Sequence, residues 1–219
     1  MSEQDNQKGF DIVLVGVGGQ GIVMLSNAIG NACAKADIHA LTGELHGLSQ
    51  RSGTIYIHMR VGGSEISPLI PYGEADAIVA LEGMEALRYI EYLKDDGVII
   101  MNKRVIHPTI EVADLSKAKS TDFLQLYPIL EKLNVVTRNI SVIDALKLAK
   151  EAGNKLTENS VFIGALSALS DFPVPPDIMK FGIEKVVPKK ALEQNLKAFD
   201  LGHKAAYDGL CQMVSCREI

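Results

Sequence analysis

IVLVGVGGQGIV, residues 12–23, is the stretch that decides how this chain folds. Its β-branched first half, DIVLV (11–15), reads as a strand buried on both faces, bounded by glycine. Beyond the glycines, Ile22, Leu25, Ile29 and Ala32/Cys33 recur at helical spacing, so the spacing predicts a helix over 20–35 packed on a sheet. DIHALTG (37–43) then reads as a second strand, completing a β-α-β unit whose crossover should be right-handed. Gly16, Gly18 and Gly21 spell G-x-G-x-x-G between the first strand and the helix. Such a turn aims backbone N–H groups and a helix N-terminus at one place, which suits an anion. In that reading Gly16 permits the tight turn, Gly18 lets a phosphate approach and Gly21 lets the helix pack closely. Glycines that serve only tight strand–helix packing are the alternative, and the pattern alone leaves it open.

Outward from this unit, ELHGLSQRSG (44–53) reads as a polar loop and TIYIHMRV (54–61) as a strand ending at Gly62-Gly63. ADAIVAL (75–81) is a further buried strand, followed by an amphipathic helix over GMEALRYIEYL (83–93). Asp95-Asp96-Gly97 turns the chain into the strand VIIMN (98–102), and VVTRNI (135–140) reads as one more strand. From Val142 onward the pattern is helical, with DALKLAKEAG, SVFIGALSALS and KKALEQNLKAFDLGHKAAYDGL punctuated by Pro173, Pro175, Pro176 and Pro188. The expected fold is α/β: a three-layer Rossmann-like sheet, mostly parallel, with a helical C-terminal third. The expected organisation is one domain over 10–205, with an α/β core to about 141, a helical part over 142–210 and a flexible tail over 1–9.

Composition narrows the function classes. The formal charge of −5 and the scattered basic residues give no electrostatic footprint for nucleic acid or a membrane surface. The polar start, MSEQDNQKG, lacks the apolar core of a signal peptide, and no run approaches eighteen apolar residues. A cytoplasmic protein with reduced thiols at Cys33, Cys211 and Cys216 is therefore expected. No C-x-x-C occurs, so the chain alone does not supply a zinc or iron–sulfur ligand set, and no metal site is expected.

The candidate binding residues are Gly16, Gly18, Gly19, Gln20 and Gly21 in the turn, with Glu44, His46, Gln50, Arg51, Ser52 and Gly53 in the loop. Gln20 either caps the helix or bonds an incoming group. Arg51 suits bidentate capture of phosphate or carboxylate, against the alternative of a solvated arginine or a pair with Glu44. His46 is an acid–base candidate or a plain hydrogen-bonding residue. Glu44 lies near the distance at which a dinucleotide-binding acid holds a ribose, so an NAD-binding dehydrogenase is the competing reading. No Ser/His/Asp or Cys/His ordering nominates a catalytic nucleophile, and the catalytic residues are unassigned.

GVGGQG (16–21), ELHGLSQRSG (44–53), HMR (58–60), ISPLI (66–70), GEADAIVALEGMEALR (73–88) and NLKAFDLG (195–202) occur in this order. Together they resemble the gamma-type subunits of 2-oxoacid:ferredoxin oxidoreductases, most of all the beta subunits of the indolepyruvate type. The Glu-x-His-Gly-x-x-Gln-Arg run of that type is matched by Glu44, His46, Gly47, Gln50 and Arg51. Ser52 departs from the glycine many such subunits carry, and Gly53 follows it.

The resemblance implies a subunit that is inactive alone, in a complex that oxidatively decarboxylates aryl 2-oxo acids to acyl-coenzyme A and passes electrons to ferredoxin. It implies a large alpha partner carrying thiamine diphosphate and 4Fe-4S clusters. This chain has neither a cluster-binding cysteine pattern nor the Gly-Asp-Gly…Asn motif for thiamine diphosphate. No cofactor is expected to be held firmly by this chain. Coenzyme A is the candidate visitor to Gly18–Gly21 and Arg51, with a subunit contact as the alternative.

Overall fold

The computed structural model describes residues 9–46, 53–105 and 122–218. Its centre is a six-stranded sheet in the order β2-β3-β1-β4-β5-β6. The strands are β1 (Phe10–Val17), β2 (Ala40–His46), β3 (Thr54–Val61), β4 (Ala75–Ala80), β5 (Leu93–Asn102) and β6 (Ile140–Ile143). β1, β4, β5 and β6 are successively parallel, while β3 is antiparallel to both β1 and β2. The sheet is thus mixed and mostly parallel, as expected, with one reversal at β3.

Helices cover both faces. Along β1, Ile12 and Leu14 point into the core under α1 (Ile22–Lys35), while Val13 and Val15 point to the opposite face. That alternation follows from the period of two along a strand, and a strand covered on both sides is apolar throughout. The first face also carries α4 (Ala145–Glu151), α5 (Glu158–Ser167), α6 (Pro176–Val186) and α7 (Leu192–Leu210). The second carries α2 (Gly83–Arg88) and α3 (Asp122–Leu133), anchored by Ala86, Leu126, Ile129 and Leu133.

The helical C-terminal part is present and forms much of the first layer. α5 is buried from Asn159 to Ser167, and its buried Ser160 and Ser167 are bonded to Asn195 and to the Gly164 oxygen. It lies against α7 at backbone contact distance. A Cβ placed on Gly164 would sit 2.0 Å from the Phe199 oxygen, and one on Gly202 would sit 1.9 Å from the Val161 oxygen.

Several boundaries differ from expectation. β2 starts at Ala40 and runs through His46, so Glu44 and His46 belong to a strand rather than a loop. GMEALRYIEYL does not form one helix: α2 ends at Arg88, Ile90–Tyr92 is a 3-10 turn, and Leu93 joins β5. Tyr89 and Tyr92 pack instead around Tyr56, with ring centroids 4.5 and 6.4 Å away, so aromatic packing overrides the helical period. Asp95-Asp96-Gly97 interrupts β5 as an irregularity, with register passing from Ala75–Leu93 to Ala77–Val98 and Asp96 at φ 59°. VVTRNI is not a strand over 135–140. Val135 and Val136 are exposed after α3, and pairing begins only where Ile140 meets Ile99. α3, which contains Pro128, is an element the sequence analysis left unassigned.

The thiol expectation is also corrected. Cys211 and Cys216 form a disulfide, leaving Cys33 as the free, buried thiol. The chain turns back after α7, and Arg217 donates its N–H to the Ala168 oxygen at 2.8 Å. This return brings the two Cα atoms to 5.5 Å, within bonding reach for cysteines five apart. Among the described residues no helix is long and apolar enough to cross a membrane.

Candidate functional site

The glycine turn joins the carboxyl end of β1 to the N-terminus of α1, at the sheet edge where open α/β sheets bind ligands. Gln20 organises it. The Gln20 Oε1 accepts the Val17 N–H at 2.8 Å, and the Gln20 Nε2 donates to the Leu81 oxygen beyond β4 at 3.3 Å. Its amide therefore holds the turn together by joining β1 to the residue after β4; it does not cap α1, which has no side-chain cap hydrogen bond. Gly16 is small for this reason, since a Cβ there would sit 2.8 Å from Gln20 Oε1.

The other glycines divide the work differently from the expected roles. Gly18 pairs with the far side of the loop, donating its N–H to the Gly53 oxygen at 3.1 Å. Gly19, at φ 90° and with nothing within 4 Å of a Cβ position, is the residue that leaves backbone open to a visitor. Gly21 caps α1 at φ 76° and makes room for Asn159, whose Nδ2 donates to the Gln20 and Gly21 oxygens at 3.0 Å each. Asn159 thus ties the turn to the first turn of α5.

Beside the turn lies a cavity of about 310 Å³, bounded by Gly19, Gly21, Asn102, Arg104, Lys155 and Leu156 among others. Its volume lies near the lower end of the range for small-molecule sites, about 300–1,000 Å³. Asn102 closes β5 and donates to the same Leu81 oxygen at 3.2 Å, while the Arg104 Nη2 donates to Glu158 Oε2 at 2.5 Å. Sequence reasoning missed Asn102, Arg104, Lys155 and Asn159. Asn102 and Arg104 had a usable signal, since they stand at and just past the carboxyl end of a parallel strand.

Glu44 is not among the described residues that line this cavity. Glu44 faces Ile57 of β3, which faces Leu14 of β1, so a whole strand separates β2 from β1. At about 4.8 Å per strand, Glu44 stands roughly 10 Å sideways from the strand that enters the glycine turn. The acid of a dinucleotide site needs β2 beside β1, and that geometry does not carry the dehydrogenase reading. Gln50, Arg51 and Ser52 lie outside the described residues.

The cysteines do not fit an iron–sulfur site, because Cys33 is alone in the core and the other two are bonded to each other.

Comparison with known proteins agrees with the geometry. Residues 11–205 match the family described as pyruvate ferredoxin/flavodoxin oxidoreductase. The chain is 41% identical over 208 residues to "Indolepyruvate oxidoreductase subunit IorB" of Pyrococcus horikoshii, covering 93% of this chain and 98% of that one. Its fold resembles the gamma subunit of a keto/oxoacid ferredoxin oxidoreductase from Geobacter sulfurreducens, with TM-score 0.69 at 19% identity, covering 92% of this chain and 98% of that chain. It also resembles part of the 2-oxoglutarate:ferredoxin oxidoreductase of Magnetococcus marinus, solved with 2-oxoglutarate, coenzyme A and succinyl-CoA bound. There the TM-score is 0.65 at 20% identity, over 93% of this chain and 32% of that chain. A match over nearly the whole α/β core and its helical layer places this chain in the pyruvate ferredoxin/flavodoxin oxidoreductase family.

Proposed function

We propose that this chain is the small subunit of a cytoplasmic indolepyruvate-type oxidoreductase. The complex takes an aryl 2-oxo acid and coenzyme A and releases carbon dioxide and an aryl acyl thioester. The electron pair from the broken C–C bond leaves through iron–sulfur clusters to ferredoxin. Thiamine diphosphate and the 4Fe-4S clusters belong to a large alpha partner, where they would supply the decarboxylation chemistry and the path for electrons. The observation that carries this reading is the 41% identity to an indolepyruvate oxidoreductase subunit across nearly the full length of both chains.

This chain's contribution is binding and positioning. The edge of the sheet offers an open backbone at Gly19, a turn stiffened by Gln20, and a cavity whose wall includes the N-terminus of α1. Such a surface suits the anionic end of coenzyme A, with Gly19 and Gly21 as its contacts and Arg51, outside the described residues, as the further contact its motif implies.

Co-expression with the neighbouring large subunit tests the assignment. The expected result is a stable complex that reduces a viologen dye on indolepyruvate plus coenzyme A, while neither subunit does so alone. A chain that stays monomeric beside that subunit, or that shows saturable NADH binding by nicotinamide fluorescence, overturns the assignment.

A further inference from the structure

Arg104 and Lys155 reach the cavity from distant parts of the chain, one just past β5 and the other from the 3-10 turn Lys155–Thr157 ahead of α5. Arg104 is held in place on three sides. Its Nη2 donates to Glu158, its backbone N–H lies 3.3 Å from Asn102 Oδ1, and its carbonyl accepts the Gly83 N–H at 2.9 Å. Among the described residues Glu158 takes one terminal nitrogen, and no other side-chain acceptor is bonded to the guanidinium. Lys155 is exposed and has no ion-pair partner among the described residues.

Among the described residues that line the cavity, two cations therefore face one carboxylate, a positive balance. This balance lies beside the start of α1, whose first turn holds no acidic residue and whose cap, Gly21, offers no side chain to the free N–H groups. The neighbouring wall is apolar in an unusual way. Leu156 is 78% exposed at the rim, directly after Lys155, while Phe162 lies buried at the base. Accessible cations beside an exposed leucine match a ligand with phosphate at one end and an apolar or heterocyclic body.

We propose that Arg104 and Lys155 bind the phosphate groups of a nucleotide-type ligand, coenzyme A, with Leu156 against its uncharged part. This rests on the reading above that coenzyme A reaches the glycine turn. It assigns the phosphate contact to two residues outside the sequence motifs. Arg104 supplies a pre-oriented fork and Lys155 a mobile point charge, the two ways cations hold phosphate oxygens.

Equilibrium dialysis of coenzyme A against the two-subunit complex tests it, using wild type, Lys155→Gln, Arg104→Gln and Gly19→Ala. Lys155→Gln changes an exposed side chain with no ion-pair partner among the described residues, so its fold is not at risk. Each cation variant is expected to weaken binding about tenfold or more, the usual worth of a charge-assisted contact. ADP is expected to compete with coenzyme A, and pantetheine, which lacks phosphate, is not. If Gly19→Ala abolishes binding while both cation variants bind as wild type, coenzyme A visits the turn but this inference falls. If Gly19→Ala is also without effect, or wild type does not bind coenzyme A, both readings fall. ADP that binds without displacing coenzyme A assigns the cavity to another nucleotide and overturns the proposal.

Discussion

Gln20 and Asn102 donate their side-chain amides to one acceptor, the carbonyl oxygen of Leu81, at 3.3 and 3.2 Å. The first residue belongs to the glycine turn and the second to the end of β5, while Leu81 follows β4 and itself donates its N–H to the Val15 oxygen. Three neighbouring strand ends are thereby fixed to one another at the edge that faces the cavity. A carbonyl has two lone pairs, so one oxygen serves both amides.

Gln20→Ala should destabilise the chain by about 1–3 kcal/mol, because it leaves the Val17 N–H and part of the Leu81 oxygen without partners. Gln20→Glu keeps an acceptor for Val17 but sets a second oxygen against that of Leu81, and should fare no better. Urea unfolding measures both. An Ala variant as stable as wild type would show that the amide is not what holds the turn.

Gly202→Ala and Gly164→Ala should each cost upwards of about 3 kcal/mol, since the added methyl would press on a backbone oxygen rather than a movable side chain. The α5–α7 contact must open by more than an ångström to admit it. Thermal melting should show a large drop in Tm for both, and a drop of only a degree or two would contradict the close helix approach.

Stability should fall on mild acidification. His58 and His203 both have pKa values lowered by burial, with Arg60 adding to the effect at His58. In the unfolded chain each protonates near about 6.5, whereas in the folded chain each stays neutral to lower pH. The unfolded state binds more protons in that window, so the stability present above about 6.5 is lost as pH falls through it. His58 Nδ1 accepts the Ile70 N–H at 2.9 Å, so His58→Asn keeps an acceptor while removing the titration. Its urea midpoint should change less between pH 7.5 and 5.5 than that of wild type. An equal or steeper change would remove His58 from the account.

Thiol counting should distinguish the three cysteines. In the native chain none reacts quickly with an alkylating reagent. Cys33 is buried, its thiol pushed up to about 12 by that burial, and the other two are bonded to each other. Unfolding without reductant should expose one reactive thiol, and unfolding with reductant all three. Mass spectrometry reads the count, and three labels without reductant would show that the disulfide does not form in the isolated protein.

Much of the architecture was legible in local pattern. The strands at 11–15, 54–61 and 75–81, the helix after the glycines and the helical C-terminal part all stand close to where periodicity put them. The misplaced elements are those that distant packing decides. The helix at 83–93 gives way where Tyr89 and Tyr92 meet Tyr56, and the strand expected at 135–140 forms only where β5 offers a partner. The site was half legible in the same sense: the glycine turn is a contiguous signal, whereas Asn102, Arg104, Lys155 and Asn159 are scattered over nearly sixty positions and have no shared motif.

By itself the sequence determined the alternation of buried strand and amphipathic helix, the glycine-rich turn between strand and helix, and, through its ordered motifs, the family. These depend on residues near one another in the chain, where backbone geometry and hydrophobic period act directly. Only the tertiary structure decided that β3 separates Glu44 from the turn, that Gln20 closes the turn instead of facing a ligand, and that two cations from elsewhere line its cavity. Strand order and the meeting of distant loops depend on which surfaces pack together, and no local stretch of sequence carries that information.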